Sequence, residues 1–243
     1  MDALYHGRVK KQSFVRPGPV RLWPWVRAAA AALALGALLS PAGAWAGPGS
    51  EPSRTIHLTV FGDSLTAGFG LLADQAFPAC LERLLRAEGL DVAVDNAGVS
   101  GDTTDMGLER LDWSIPGTPD GVILELGAND GLRGLPLPEI EANLEAIIAR
   151  LTARGVPVML AGMKAILNMG PDYGREFTAI YARLAKKHGL VFYPFFLEGV
   201  AGENGLVQPD GLHPNAAGTE KVARLILPTV KEFLGRIESR PGA

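Results

Sequence analysis

Cysteine is nearly missing: Cys80 is the only one in 243 residues, so no internal disulfide can brace the chain. Stability must come from a buried core, and Cys80, in FPACLERLL, reads as part of it. No His/Cys grouping has metal-ligand spacing, and no Gly-rich phosphate fingerprint follows a strand. Those two absences argue against a metal centre and a nucleotide cradle, so no metal and no organic cofactor is expected. Repeats and low-complexity tracts are absent after residue 50. The apolar run Ala28 to Leu39 (AAAAALALGALL) is too short to cross a bilayer comfortably.

That run has a different meaning in context. It follows a basic start (Arg8, Lys10, Lys11, Arg16, Arg21 and Arg27 against Asp2) and precedes the small-x-small end Ala44, Trp45, Ala46. Together these form the pattern of a secretory signal peptide cleaved after Ala46; the alternatives are an uncleaved membrane anchor or a true start codon further down the chain. No cysteine follows the cleavage site to carry a lipid, and no Arg-Arg pair in this segment marks twin-arginine export. The expected organisation is a signal peptide at 1–46, a short linker at 47–54 and one domain at 55–240. Export to the periplasm or medium follows, with no membrane span after cleavage. The whole chain carries −3; without the first 46 residues, 17 basic residues face 25 acidic ones, a balance of −8. Such a surface argues against a nucleic-acid partner. Roughly 195 residues suffice for a single core, and a monomer is expected.

Strand-like and helix-like segments alternate through the domain. Ile56–Phe61, Val92–Asn96, Gly121–Leu126, Val156–Ala161 and Leu190–Phe195 read as strands. Between and after them, Phe77–Glu88, Pro138–Arg154, Tyr173–His188 and Ala216–Arg236 read as helices, the last with Pro228 expected to kink or break it. Five strands joined by helical crossovers make a parallel sheet covered on both faces, an α/β/α three-layer domain. The pattern alone does not give the strand order. In such sheets the site lies at the carboxyl ends of the strands.

Four polar clusters stand there: Gly62-Asp63-Ser64, NAGVSGDTT (Asn96–Thr104), GANDG (Gly127–Gly131) and DGLHPN (Asp210–Asn215). Each alone is an ordinary cap or turn. Together they supply complementary parts for acyl transfer, which needs a nucleophile, a base, a group to orient the base, and donors for an oxyanion. Asp210 and His213 are three residues apart, so one carboxylate can hold one imidazole nitrogen while the other faces Ser64. Asn129 offers a side-chain N–H, and Gly101 a backbone N–H unobstructed by a side chain. The remaining histidines fit poorly: His6 lies in the signal segment, His57 in a strand, and His188 at a helix end beside two lysines.

Ser64 is not in a Gly-x-Ser-x-Gly elbow. FGDSLTAG, VSGDTT, GAND and DGLHPN instead resemble, in order and spacing, the four blocks of the SGNH hydrolases, also called GDSL esterases/lipases. The similarity runs from about Ile56 to Asn215 and is nearest the exported bacterial thioesterase/arylesterase/lysophospholipase group. It implies a flavodoxin-like sandwich with a five-stranded parallel sheet. It also implies Ser64 as nucleophile, Asp210 and His213 as the rest of a triad, and Ser64, Gly101 and Asn129 as oxyanion donors. Ala128 stands where close relatives carry glycine, a variable position of the block.

The substrate implied is a small acyl ester or thioester, with lysophospholipid among the options. Leu65, Phe69, Leu71, Leu72, Leu132, Leu135, Ile166 and Leu167 are the candidates for an acyl groove, core packing being their other reading. Two other readings remain open: a carbohydrate O-acetylesterase, which calls for a more aromatic and polar groove, and a non-catalytic lipid- or peptide-binding module.

Overall fold

The computed structural model describes residues 54–165 and 169–240. The expected signal peptide, nearly all of the expected linker, Ile166 and Leu167 lie outside the described residues. Five strands, β1 (Ile56–Gly62), β2 (Val92–Gly98), β3 (Gly121–Glu125), β4 (Val158–Ala161) and β5 (Val191–Tyr193), form one sheet in the order β2-β1-β3-β4-β5. Every pairing is parallel. That order is the flavodoxin-like one, which the alternation of elements could not supply.

The helices are α1 (Ser64–Ala67), α2 (Phe77–Ala87), α3 (Thr104–Ser114), α4 (Ala128–Arg133), α5 (Leu137–Ala153), α6 (Pro171–His188) and α7 (Ala216–Glu238). α2 packs against α7, while α3 packs against α5 and α5 against α6. Right-handed crossovers put the first pair on one face of the sheet and the other three on the opposite face. The central strands are accordingly apolar and buried: β3 and β4 are buried at every residue, β1 at all but His57. The edge strand β2 instead exposes Asp95 and Asn96, polar residues that discourage pairing with another chain.

The chain turns left from β1 to β2, then crosses back over β1 to reach β3. The segments leaving β1 and β3 therefore diverge, which opens a crevice at the carboxyl edge between them. Ser64 follows β1 and Asn129 follows β3.

Three expectations change in detail. β4 begins at Val158, two residues later than expected, because Pro157 has no N–H to give the ladder; its carbonyl still accepts from Val122. Residues 104–114 form α3, which apolar spacing did not reveal. Pro228 does not break the last helix: α7 runs from Ala216 to Glu238 through it. Pro228 lies on the exposed side, where water can satisfy the carbonyl it leaves free. Val222, Ala223 and Ile226 before it, and Val230, Phe233 and Leu234 after it, anchor both halves in the core.

Cys80 is buried in that core, as expected. The acidic residues Glu141 and Glu145 of α5 are engaged by basic partners on α6. Glu141 accepts two hydrogen bonds from Arg183, Glu145 pairs with Lys187, and the two contacts tie α5 to α6.

Candidate active site

β1 ends at Gly62, where no side chain fits: an added Cβ would lie 2.2 Å from Thr66 Oγ1 and 2.4 Å from Glu125 Oε2. The chain then turns into the four-residue α1. Asp63 caps it, its Oδ1 accepting the Leu65 N–H at 3.0 Å, and Ser64 becomes its first residue. A serine so placed points its hydroxyl away from the core, with only 8% of its surface exposed.

Opposite it, the segment DGLHPN folds back on Asp210. Oδ1 of Asp210 accepts the backbone N–H of both Leu212 and His213, and Oδ2 lies 2.6 Å from His213 Nδ1. This turn needs Gly211 at φ +71°, a conformation open to glycine. The Leu212 N–H foremost, then the imidazole and the His213 N–H, hold the Asp210 carboxyl down to about 2, so it stays ionised beside the ring. His213 Nε2 lies 2.9 Å from Ser64 Oγ. Asp210, His213 and Ser64 thus form one hydrogen-bonded chain spanning two loops 149 residues apart.

The loops are also laced together. Gln208 Nε2 donates to the carbonyls of Phe69 and Pro214, and the Gln208 N–H to that of His213. Phe69 lays its ring 4.7 Å from the His213 ring, tilted by 39°. Gln208 escaped the sequence reading because glutamine at a loop start carries no pattern.

The structure brings Asn129 and Gly101 to the same crevice. Asn129 Nδ2 donates to the Asp102 carbonyl at 2.9 Å and approaches Asp63 Oδ2 at 3.3 Å. GANDG is no simple turn: Gly127, at φ +114°, starts α4, which contains Asn129. Gly101, at φ +91°, offers its carbonyl to Arg133 at 3.0 Å, which fixes that peptide. Among the described residues, neither the Ser64 nor the Gly101 backbone N–H donates to a protein acceptor. Behind this wall Arg110 forms a buried ion pair with Asp102 and donates to the Gly62 carbonyl at 2.8 Å, joining the loops after β1 and β2.

A cleft of about 340 Å³ opens beside Ser64 and His213. Of the groove candidates, Leu65 and Leu132 line it; Met163, Phe195, Leu197 and Leu212 complete its apolar wall. Phe69 sits on the imidazole instead. Leu71, Leu72 and Leu135 do not line the cleft, and Leu135 packs on the core. Met163 and Phe195 follow β4 and β5, so the carboxyl-end rule points to them, but nothing in their local pattern distinguishes them from core.

A model of the GDSL-like Lipase/Acylhydrolase family matches residues 60–221. Esterase TesA of Pseudomonas aeruginosa is 39% identical over 76% of this chain and 92% of its own. Thioesterase 1/protease 1/lysophospholipase L1 of Escherichia coli K12 is 38% identical over 65% of this chain and 75% of its own. Among solved structures, the psychrotrophic esterase EstA from Pseudoalteromonas sp., inhibited by monoethylphosphonate, superposes with a TM-score of 0.70. It is 31% identical and covers 74% of this chain and 98% of that one.

Proposed function

Because the chain belongs to the GDSL-like lipase/acylhydrolase family, we propose that it is a serine hydrolase of carboxylic esters and thioesters, acting through Ser64, His213 and Asp210. The hydrogen-bonded chain from Asp210 through His213 to Ser64 carries this reading. Ser64 Oγ attacks the acyl carbonyl carbon as His213 Nε2 takes its proton. The carbonyl oxygen becomes an oxyanion facing the N–H groups of Ser64, Gly101 and Asn129. His213 then gives the proton to the departing alkoxide or thiolate, leaving an acyl-Ser64 ester. Water, deprotonated by His213, attacks that ester, and His213 passes the proton to Ser64 Oγ as the acid leaves. Asp210 keeps the imidazole oriented and balances its charge when protonated.

The apolar cleft favours an acyl chain over a sugar ring. Each methylene buried there contributes about 0.8 kcal/mol, so kcat/KM should rise roughly fourfold per added methylene until the cleft is full. Aryl esters, acyl thioesters and lysophospholipids all present such a chain. In the same reading residues 1–46 direct export and the enzyme works as a monomer outside the cytoplasm.

The test is hydrolysis of p-nitrophenyl esters of increasing chain length, a phenyl ester, palmitoyl-CoA and a lysophospholipid. Ser64→Ala should abolish turnover with the fold retained, and Asn129→Ala should lower kcat by about 10²–10³. Turnover by Ser64→Ala at the wild-type rate would overturn the mechanism. Failure of wild type on every substrate, with no labelling by an organophosphonate, would leave the binding-module reading in its place.

A further inference from the structure

Asp63 is fully buried beside the reacting serine, yet the triad makes no use of it. One oxygen caps α1 through the Leu65 N–H. The other is 3.3 Å from the amide nitrogen of Asn129, beyond the usual range for a strong N–H···O bond. That nitrogen has two N–H groups, and the second donates to the Asp102 carbonyl at 2.9 Å. In the resting site both are engaged, so an oxyanion can bind Asn129 only by displacing one acceptor. The Asp63 contact is the longer and weaker of the two.

We propose that Asp63 is a positioning residue that holds one N–H of Asn129 aimed into the site and yields it to the oxyanion, while the Asp102 carbonyl keeps the carboxamide in place. The proposal rests on the reading of Asn129 as an oxyanion donor.

The surroundings of Asp63 suit a weak hold. Glu125 from β3, Asp102 from the loop after β2 and Asp130 from α4 are its acidic neighbours; His213 is the favourable one. Asp102 is paired with Arg110, and Asp130 accepts the Thr104 N–H and hydroxyl. Glu125 accepts the Thr66 hydroxyl at 2.6 Å on Oε2, while its buried Oε1 has no partner among the described residues. Burial foremost drives the Asp63 carboxyl up to about 7 and Glu125 higher than the usual carboxylate range. A carboxyl so reluctant to ionise competes poorly with a full oxyanion for the same N–H, since charge-assisted bonds are the stronger ones.

Two variants test this. Asp63→Asn keeps an oxygen for the Leu65 cap but sets an NH₂ group against that of Asn129, turning the carboxamide. Asp63→Ser keeps a capping hydroxyl and withdraws from Asn129. With p-nitrophenyl butyrate, each should lower kcat by about 10², the loss of one oxyanion donor, with KM little changed. Phosphonate labelling of Ser64 should slow in step, because that adduct also places an anionic oxygen in the hole. In the Asn129→Ala background neither variant should cost anything further. Wild-type kcat in both variants would overturn the proposal, as would losses that multiply with Asn129→Ala. Absence of any label or turnover in the wild-type enzyme would instead remove the serine mechanism beneath it.

Discussion

Asp63 and Asp210 carry the same carboxyl in opposite surroundings, 147 positions apart in the sequence. Asp210 lies at the surface among three donors and is held down to about 2; Asp63 is sealed off and pushed up to about 7. Their contributions to stability therefore run in opposite directions with pH. Asp210 contributes above its unfolded value of 3.8, and that contribution is lost as pH falls through about 2, reduced throughout by solvent screening. Asp63 retains its proton in the folded state after the unfolded chain has released it, so its contribution is full below 3.8 and lost as pH rises through about 7. Asp63→Asn cannot ionise. Its unfolding midpoint, measured against wild type, should gain steadily from about pH 4 to about pH 7 and level off above that. A constant offset across that range would show that Asp63 does not carry the shift.

Among the elements, α1 is held by what surrounds it, since four residues have no helical stability of their own. Gly98, the last residue of β2, lies against its backbone: a Cβ there would sit 2.3 Å from the Ala67 nitrogen and 2.9 Å from the Asp63 carbonyl oxygen. Backbone cannot give way as a flexible side chain can. Gly98→Ala should push α1 outward and lower kcat by more than tenfold, since a misplacement of about 1 Å can cost 10²-fold. Wild-type kcat in that variant would show that the loop absorbs the shift. Pro228 offers the opposite case, because α7 tolerates a residue that removes a hydrogen bond. Pro228→Ala restores the bond to the Arg224 carbonyl at an exposed position and should raise stability by on the order of 1 kcal/mol, read as a higher unfolding midpoint. A lower midpoint would mean that proline's effect on the unfolded chain outweighs the missing bond. α3 was illegible for a related reason: its inward face carries Arg110, buried against Asp102 and stacked 4.2 Å above the Phe61 ring, so a charged residue occupies a position where an apolar one signals a helix.

At the scale of the whole molecule, the domain from Arg54 to Arg240 is built around one core that includes residues of all five strands and of the covering helices. Among the described residues no helix is long and apolar enough to cross a membrane. If residues 1–46 serve only export, the chain produced in a Gram-negative host should accumulate outside the cytoplasm and begin at Gly47. N-terminal sequencing checks this; a product that retains Met1 would point to the anchor reading.

Local sequence made legible the five strands, the helices α2, α5, α6 and α7, and the polar clusters that hold Ser64, Gly101, Asn129, Asp210 and His213. The reason is that strand period, glycine and turn chemistry act within a few residues, and the polar clusters follow the strands in order. Distances across the chain belong to the tertiary structure alone. Only folding decides that β1 lies between β2 and β3, and this opens the crevice where His213 meets Ser64. Only folding buries Asp63 beside Asn129, sets Phe69 against the imidazole, and separates Met163 and Phe195 of the cleft wall from Leu135 of the core. Those outcomes depend on burial and through-space contact, and neither has a period or a spacing that a sequence can display.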